Sequence, residues 1–279
     1  MNVLNPKVYA GSTMQTVLTI AGYDPSSGAG VTADLMVFAA HGLFGTSCMT
    51  SLTVQSTMGV RSATPVAADM VRATLDCLES DLPAAGIKIG MLGTAGNAAA
   101  VVEFLQRLRD GGRRVPVVLD PVLRSSSGRE LLDADGVAVM QERLLPLVDW
   151  VTPNLEEAGV LTGRSVKRRE DMLDAARVLQ AMGERLNVVV TGGHLDPPDD
   201  LVLMAGEALW LPGAKIASRS THGTGCAFSS ALLSRIVLGD EVKDAVLLAK
   251  QYVAEAIRTA VPMGEGLGPV NHLWPLQED

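Results

Sequence analysis

Late in the chain, Thr221-His222-Gly223-Thr224-Gly225-Cys226 runs into an apolar stretch rich in small residues, about Gly225–Leu238. A glycine-rich turn feeding a helix leaves backbone N–H groups unpaired at the positive end of the helix dipole. Gly223, Thr224 and Gly225 so placed suit an anion, including charge developing on a phosphoryl group in transfer. A plain tight turn before a packed helix would use the same residues. Cys226 is a candidate base or nucleophile, because a thiol at a helix N-terminus can have a lowered pKa. A lone cysteine is otherwise often buried filler, and Cys48 and Cys77 read that way.

Other polar segments offer further chemistry. The loop Gly22–Gly30 holds several glycines and Pro25. It fits neither GxxxxGK[ST] nor GxGxxG, and reads either as a connector or as backbone that approaches a flat ligand closely. Asp34 falls early in the following helix, as a first-turn acid or a ligand contact. Gln55 ends a strand with an amide that both donates and accepts, which fits a heterocycle edge or a turn. Asp120 ends an apolar strand ahead of Pro121. Asn154 and Glu157 are spaced to share a helix face. Such oxygen ligands suit Mg²⁺ carried on nucleotide phosphates; Asn154 also suits a helix N-cap. His194 and His222 show no metal-ligand spacing and read as structural or supporting.

These residues need elements to hold them. The apolar runs Thr16–Ala21, Ser47–Val54, Gly86–Ile89, Val115–Leu119, Trp150–Thr152 and Asn187–Thr191 read as strands. Helical periodicity covers Thr32–Ala40, Ala67–Glu79, Ala98–Leu108, Gly136–Leu145, Glu170–Met182, Gly225–Leu238 and Val242–Ala260. Leu201–Ala205 and Glu207–Leu211 read as a hairpin, and Leu195–Asp200 as an exposed turn. The alternation predicts an α/β fold with a mainly parallel central sheet and helices on both faces. Ligands of open α/β sheets bind beyond the carboxyl ends of the strands. The Gly22–Gly30 loop, Gln55, Gly90-Met91-Leu92, Asp120-Pro121-Val122, Thr152-Pro153-Asn154 and Gly192-Gly193-His194 each follow one predicted strand.

Composition narrows the class. With 4% aromatic residues, the core must be aliphatic. A formal net charge of -8 argues against a nucleic-acid surface. Three scattered cysteines predict a reducing compartment without structural disulfides. With no signal-peptide pattern and no long apolar run, the expectation is a cytoplasmic protein off the membrane. The expected organisation is an N-terminal extension over 1–15 and a single domain over 16–272.

Taken in order, the segments resemble the ribokinase-type superfamily. Within it they are similar to the hydroxymethylpyrimidine/phosphomethylpyrimidine kinases of thiamine biosynthesis. The resemblance rests on Thr19–Gly30, Ala33-Asp34-Leu35, Val54-Gln55, Lys88–Leu92, Asp120-Pro121-Val122, Thr152–Ala158, Gly192-Gly193-His194, Thr221–Cys226 and Gly266–Val270. It implies a three-layer fold, and ATP- and Mg²⁺-dependent phosphorylation of 4-amino-5-hydroxymethyl-2-methylpyrimidine and then of its monophosphate. It implies a pyrimidine pocket of Gly22, Asp34, Gln55, Met91 and Val122, with Asp34 and Gln55 reading the polar edge of the ring. It implies nucleotide contacts from Asn154, Thr191 and Gly193, a Mg²⁺ site from Asp120 and Glu157, an anion hole at Gly223–Gly225 with Cys226 as base, and a homodimer. Relatives often carry Lys where this chain has Thr191 and Ser126; Arg124 and Arg129 flank the second of these and are the cations placed to compensate there. Pyridoxal kinase of the same fold is the alternative enzyme; a non-catalytic pyrimidine-binding regulator is the alternative outside catalysis.

Overall fold

The computed structural model describes residues 14–125 and 128–277. Nine strands form one sheet in the order β3-β2-β1-β4-β5-β6-β7-β8-β9. β1 (Thr16–Tyr23), β2 (Phe44–Ser56), β4 (Gly86–Ile89), β5 (Val117–Leu119), β6 (Trp150–Val151) and β7 (Asn187–Val190) run parallel. β3 (Gly59–Pro65) closes one edge antiparallel to β2, and the hairpin β8 (Asp200–Met204) and β9 (Glu207–Leu211) closes the other.

Alternation along each strand splits the core in two. Leu18, Ile20, Val117, Leu119, Val188 and Val190 face one layer, made of α2 (Ala68–Asp81), α3 (Ala95–Asp110), α4 (Ala134–Val139), α5 (Leu155–Thr162) and α6 (Arg169–Gln180). Val17, Val118 and Val189 face the other, made of α1 (Gly30–Ala40), α7 (Thr224–Val237) and α8 (Val242–Arg258). The expected three layers are present.

Several sequence expectations shift: Cys77 is exposed rather than buried filler, Asp199 and Asp200 of the expected exposed turn are buried, and three elements differ. The predicted helix over Gly136–Leu145 is instead α4, a π-turn over Met140–Leu144 and a 3₁₀ turn over Leu145–Leu147, where Pro146 breaks the α ladder. β5 starts at Val117 rather than Val115, since Pro116 has no N–H for the ladder. β3 is unforeseen because its residues are all partly or fully exposed and show no apolar run. The backbone carbonyl of Pro116 still accepts from Ile87 at 2.9 Å, which keeps the strand entry in register.

Candidate active site

Every parallel strand delivers a polar segment to the same end of the sheet, and α7 points its N-terminus there. Gly223 caps α7 at φ 86°, a left-handed conformation that favours glycine. A Cβ there would sit 1.7 Å from the Gly28 carbonyl oxygen, so this loop packs backbone to backbone against the β1–α1 loop. The first N–H groups of the helix lie beyond the reach of intrahelical acceptors. Gly225 is exposed, and a Cβ on it would lie 3.8 Å from Asp120 Oδ2. The anion-hole candidates and the β5 acid therefore face one another.

Asp120 is held at the end of β5 by its N–H to the Ile89 carbonyl at 2.8 Å, and its own carbonyl accepts from Val122 N at 2.8 Å. Its carboxylate is 4% exposed and accepts from Ser229 Oγ at 3.3 Å and from the Cys226 thiol. Glu157 is reached through α5. Asn154 caps that helix by accepting from Glu157 N at 2.9 Å, and Glu157 Oε2 accepts from Asn154 N at 2.9 Å. The helix N-cap reading of Asn154 is thus met. Burial pushes the Glu157 carboxyl up to about 8, with the charge of Asp120 adding to it. Burial also raises Asp120, opposed by Lys88 and reinforced by Asp34.

Lys88 is a residue the sequence reading quoted without a role. It is fully enclosed, as is Asp34, with Nζ 2.9 and 3.0 Å from the two carboxylate oxygens. Thr19 Oγ1 at 2.5 Å and Ser230 Oγ at 2.8 Å complete the acceptor shell of Asp34. A Cβ at Gly90 would come within 2.9 Å of Lys88 Nζ, so the glycine after β4 makes room for the ammonium. The available signal was a lysine between two isoleucines in a short buried strand, which demands a counter-charge. Asp34 differs from both sequence readings. It lies past the first turn of α1, and its enclosed oxygens serve Lys88, Thr19 and Ser230 rather than solvent.

Cys226 also departs from expectation. It is partly buried at the start of α7. Burial pushes its thiol up to about 12, and Asp120 and Asp34 push the same way; Lys88 and the Gly30 N–H oppose them. The helix terminus alone does not yield a standing thiolate here. Desolvation and two nearby carboxylates outweigh the dipole.

The remaining pocket candidates lie along the strand ends. A Cβ on Gly22 would be 2.8 Å from Met91 Sδ, so Gly22 lets the buried Met91 side chain lie over the strand end. Val122 and Gln55 are partly exposed. The Gln55 carboxamide lies 3.1 Å from His222 Nε2 and 3.2 Å from Thr53 Oγ1. His222 Nε2 is also 2.8 Å from Asp24 Oδ2, which matches its supporting role. His272 Nε2 lies 3.0 Å from the Gly28 carbonyl oxygen and ties the C-terminal segment to the same loop. Asp24, Ser229, Ser230 and His272 were not anticipated, because the residues whose contacts tie them to the site, His222, Asp120, Asp34 and Gly28, are far away in sequence.

The nucleotide candidates are only partly gathered. Thr191 bridges to Asn154, with its N–H on the Pro153 carbonyl at 2.9 Å. Gly193 lies exposed two residues further, and His194 is exposed beside it. Ser126 lies outside the described residues. Arg124 pairs with Glu156 at 2.7 Å and Glu130 at 3.4 Å, and Arg129 donates to the Arg61 carbonyl at 2.8 Å. Both arginines have partners of their own. Among the described residues, no cluster of three or more His, Cys, Asp or Glu side chains could hold a metal ion.

Comparisons with known proteins agree with this arrangement. A family model described as phosphomethylpyrimidine kinase matches residues 24–271. The chain is 39% identical over 267 residues to the hydroxymethylpyrimidine/phosphomethylpyrimidine kinase of Haemophilus influenzae, covering 94% of this chain and 97% of that protein. It is 42% identical over 265 residues to the thiamine biosynthesis bifunctional protein ThiED of Geobacter sulfurreducens, covering 94% of this chain; there it spans only 53% of the longer protein. Among solved structures, Bacillus subtilis pyridoxal kinase in complex with ADP superposes with a TM-score of 0.84 at 30% identity, covering 95% of this chain and all of that one. Phosphomethylpyrimidine kinase of Clostridium difficile gives 0.75 at 32% identity, covering 87% and 99%. The sheet order, the helix terminus facing Asp120 and a match over most of the chain converge on one assignment: this chain belongs to the phosphomethylpyrimidine kinase family, on the ribokinase-like fold.

Proposed function

We propose that the chain transfers the γ-phosphoryl group of ATP to the hydroxymethyl group of 4-amino-5-hydroxymethyl-2-methylpyrimidine, and then phosphorylates the monophosphate. The observation that carries this reading is the meeting of the α7 N-terminus, Asp120 and Cys226 at the carboxyl ends of the strands. Gly223–Gly225 offer N–H groups to the transferring phosphoryl group. Gln55 reads the ring edge, while Gly22, Met91 and Val122 pack its faces. Asp34 acts from beneath, through Lys88. Asn154, Thr191 and Gly193 border the nucleotide.

Asp120 and Glu157 fit Mg²⁺. They are two buried acids, each made harder to ionise first by desolvation, with the charge of Asp34 adding at Asp120 and that of Asp120 adding at Glu157, and a cation offsets that cost. Mg²⁺ is commonly held by one or two carboxylates plus substrate phosphates, and there it neutralises charge on the phosphate oxygens. With Asp120 paired, one of the charges that raise Cys226 is offset; Lys88 and the Gly30 N–H favour the thiolate, against burial and the remaining charge of Asp34. Cys226 is read as the base for the alcohol, more readily ionised once Asp120 is paired. The first acceptor is a neutral alcohol, which gains from a base. The second is a phosphate already ionised near neutral pH.

The same residues over 16–272 form the proposed single domain, following an extension over 1–15. Leu52, Val54 and Met58 are 49%, 58% and 64% exposed on the β2–β3 edge, which supports the proposed homodimer. No described helix is long and apolar enough to cross a membrane, and the three cysteines are free, which supports a cytoplasmic setting. Phosphorylation of pyridoxal is the second reading, favoured by the superposition on a pyridoxal kinase. A coupled assay of ADP release with the pyrimidine alcohol, its monophosphate and pyridoxal separates the readings. Turnover of both pyrimidines ahead of pyridoxal supports the first; preference for pyridoxal overturns it.

A further inference from the structure

Gln55 can read a ring only if its carboxamide has a fixed sense, since its two ends are nearly isosteric and present opposite hydrogen-bonding groups. Its surroundings decide that sense. Asp24 Oδ1 accepts from Ser26 N at 2.8 Å and Ser26 Oγ at 2.6 Å, and Oδ2 accepts from Ala29 N at 3.0 Å. A carboxylate taking three donors is an acceptor throughout, so His222 Nε2, 2.8 Å from Oδ2, must be the protonated nitrogen and must donate. The structure has the Gln55 amide nitrogen 3.1 Å from that same Nε2, which sets donor against donor, so the two nearly isosteric ends have to be exchanged and the oxygen set there as acceptor. At the other end, Thr53 Oγ1 gives its single proton to the Tyr23 carbonyl at 2.9 Å. The Gln55 oxygen, which lies 3.2 Å from Thr53 Oγ1, therefore has to give way there to the amide nitrogen as donor.

Both constraints give one answer, with the amide oxygen toward His222 and the amide nitrogen toward Thr53. The opposite sense, nitrogen to nitrogen at His222, sets donor against donor. Removing the Nε2 proton to relieve that would leave a bare lone pair facing the Asp24 carboxylate. The two constraints come from unrelated parts of the chain, the β1–α1 loop with the α7 entry and β2 with the end of β1.

We propose that Asp24, His222 and Thr53 are positioning residues that lock the Gln55 carboxamide in this sense, and so set the enzyme's preference for a ring edge bearing an acceptor nitrogen beside an amino donor. After His222 and Thr53 are served, the amide keeps one N–H and one oxygen lone pair. They lie in one plane in a fixed order, and such an edge pairs with both. This rests on the reading of Gln55 as the ring contact. It adds a reason for specificity, because an amide free to turn over would accept mismatched edges almost as well.

The test compares the pyrimidine alcohol with its analogue lacking the amino group, in the full-length protein under saturating ATP. His222→Leu is expected to reduce the preference for the amino substrate roughly five- to tenfold, the worth of about one hydrogen bond. The loss should fall in KM for the amino substrate, with kcat changed less than about twofold and KM for the analogue little altered. His222→Gln, which keeps an N–H donor at a similar reach, should restore the preference. Thr53→Val, which leaves the packing around His222 untouched, should erode it by roughly two- to threefold. Equal losses on both substrates, or a Gln variant no better than Leu, would overturn the proposal. Gln55→Ala separates the two levels. If it leaves the preference intact, Gln55 is not the ring contact and both readings fall. If it abolishes the preference while His222→Leu and Thr53→Val do not, only the locking inference falls.

Discussion

Asp34 and Asp120 are both enclosed acids beside the start of α7, and two successive residues of that helix donate to them, Ser230 to the first and Ser229 to the second. Their electrostatic fates differ. Asp34 has a counter-charge built into the fold, since Lys88 contacts both of its oxygens. Asp120 has no ion-pair partner among the described residues; it accepts from a hydroxyl and a thiol, lies near Glu157, and burial pushes its carboxyl up against the opposing charge of Lys88. A buried carboxylate without a cation is costly, and evolution tolerates it where a ligand brings the missing charge. On the proposed reading, the first acid is structural support and the second a socket for a cation. Cys226 lies between them and feels both.

The largest effect should come from breaking the complete pair. Lys88→Met leaves Asp34 buried and uncompensated, and should lower stability by about 3–5 kcal/mol in denaturant titration. Lys88→Met with Asp34→Leu removes both charges and should lose distinctly less than Lys88→Met alone. Equal losses would mean that Lys88 acts through packing.

Next is the thiol between the two acids. Cys226→Ala should slow phosphorylation of the alcohol by about 100-fold, at the low end of general-base effects, and of the monophosphate much less. Separate steady-state assays on the two acceptors read this directly, and equal losses would remove the base role.

The incomplete pair should show itself in the pH dependence of stability. Glu157 is raised from an ordinary 4.5 to about 8. A carboxyl that holds its proton more tightly when folded makes stability fall as pH climbs through that window. The penalty is absent below about 4.5 and complete above about 8. Glu157→Gln should flatten this slope, worth on the order of a few kcal/mol across the window, in thermal melts without metal or nucleotide. An unchanged slope would show that Glu157 is not the group responsible.

The smallest effect has the opposite sign to the first. Asp120→Asn should raise stability by about 1 kcal/mol, because it removes an unpaired buried charge, while catalysis falls. A loss of stability like that of Lys88→Met would erase the contrast between the two acids.

The sequence made the rim of the site legible, and left its foundation unseen. Asp120, Asn154 and Gln55 each follow an apolar run, so finding the strand ends also finds them. The Asn154 cap is a local signal within four residues. Lys88 and Asp34 lie 54 positions apart, and meet only because β4 pairs with β1 while α1 packs alongside. Asp24 and His222 are 198 positions apart. The raised Cys226 thiol was illegible for a similar reason. A helix start is visible in sequence, but the two acids facing it are set by the order of strands in the sheet. β3 was missed because an edge strand with an exposed, mixed pattern carries no periodic burial to read.

The claim that Asp120 and Glu157 form a socket for a cation is tested most directly by metal binding rather than turnover. Mn²⁺ can be titrated by electron paramagnetic resonance against the protein with a non-hydrolysable ATP analogue present. The Asp120→Asn/Glu157→Gln double variant should bind nucleotide-associated Mn²⁺ at least about tenfold more weakly than the unaltered protein, the scale of losing charge-assisted ligands. Unchanged Mn²⁺ affinity in the double variant would contradict the account.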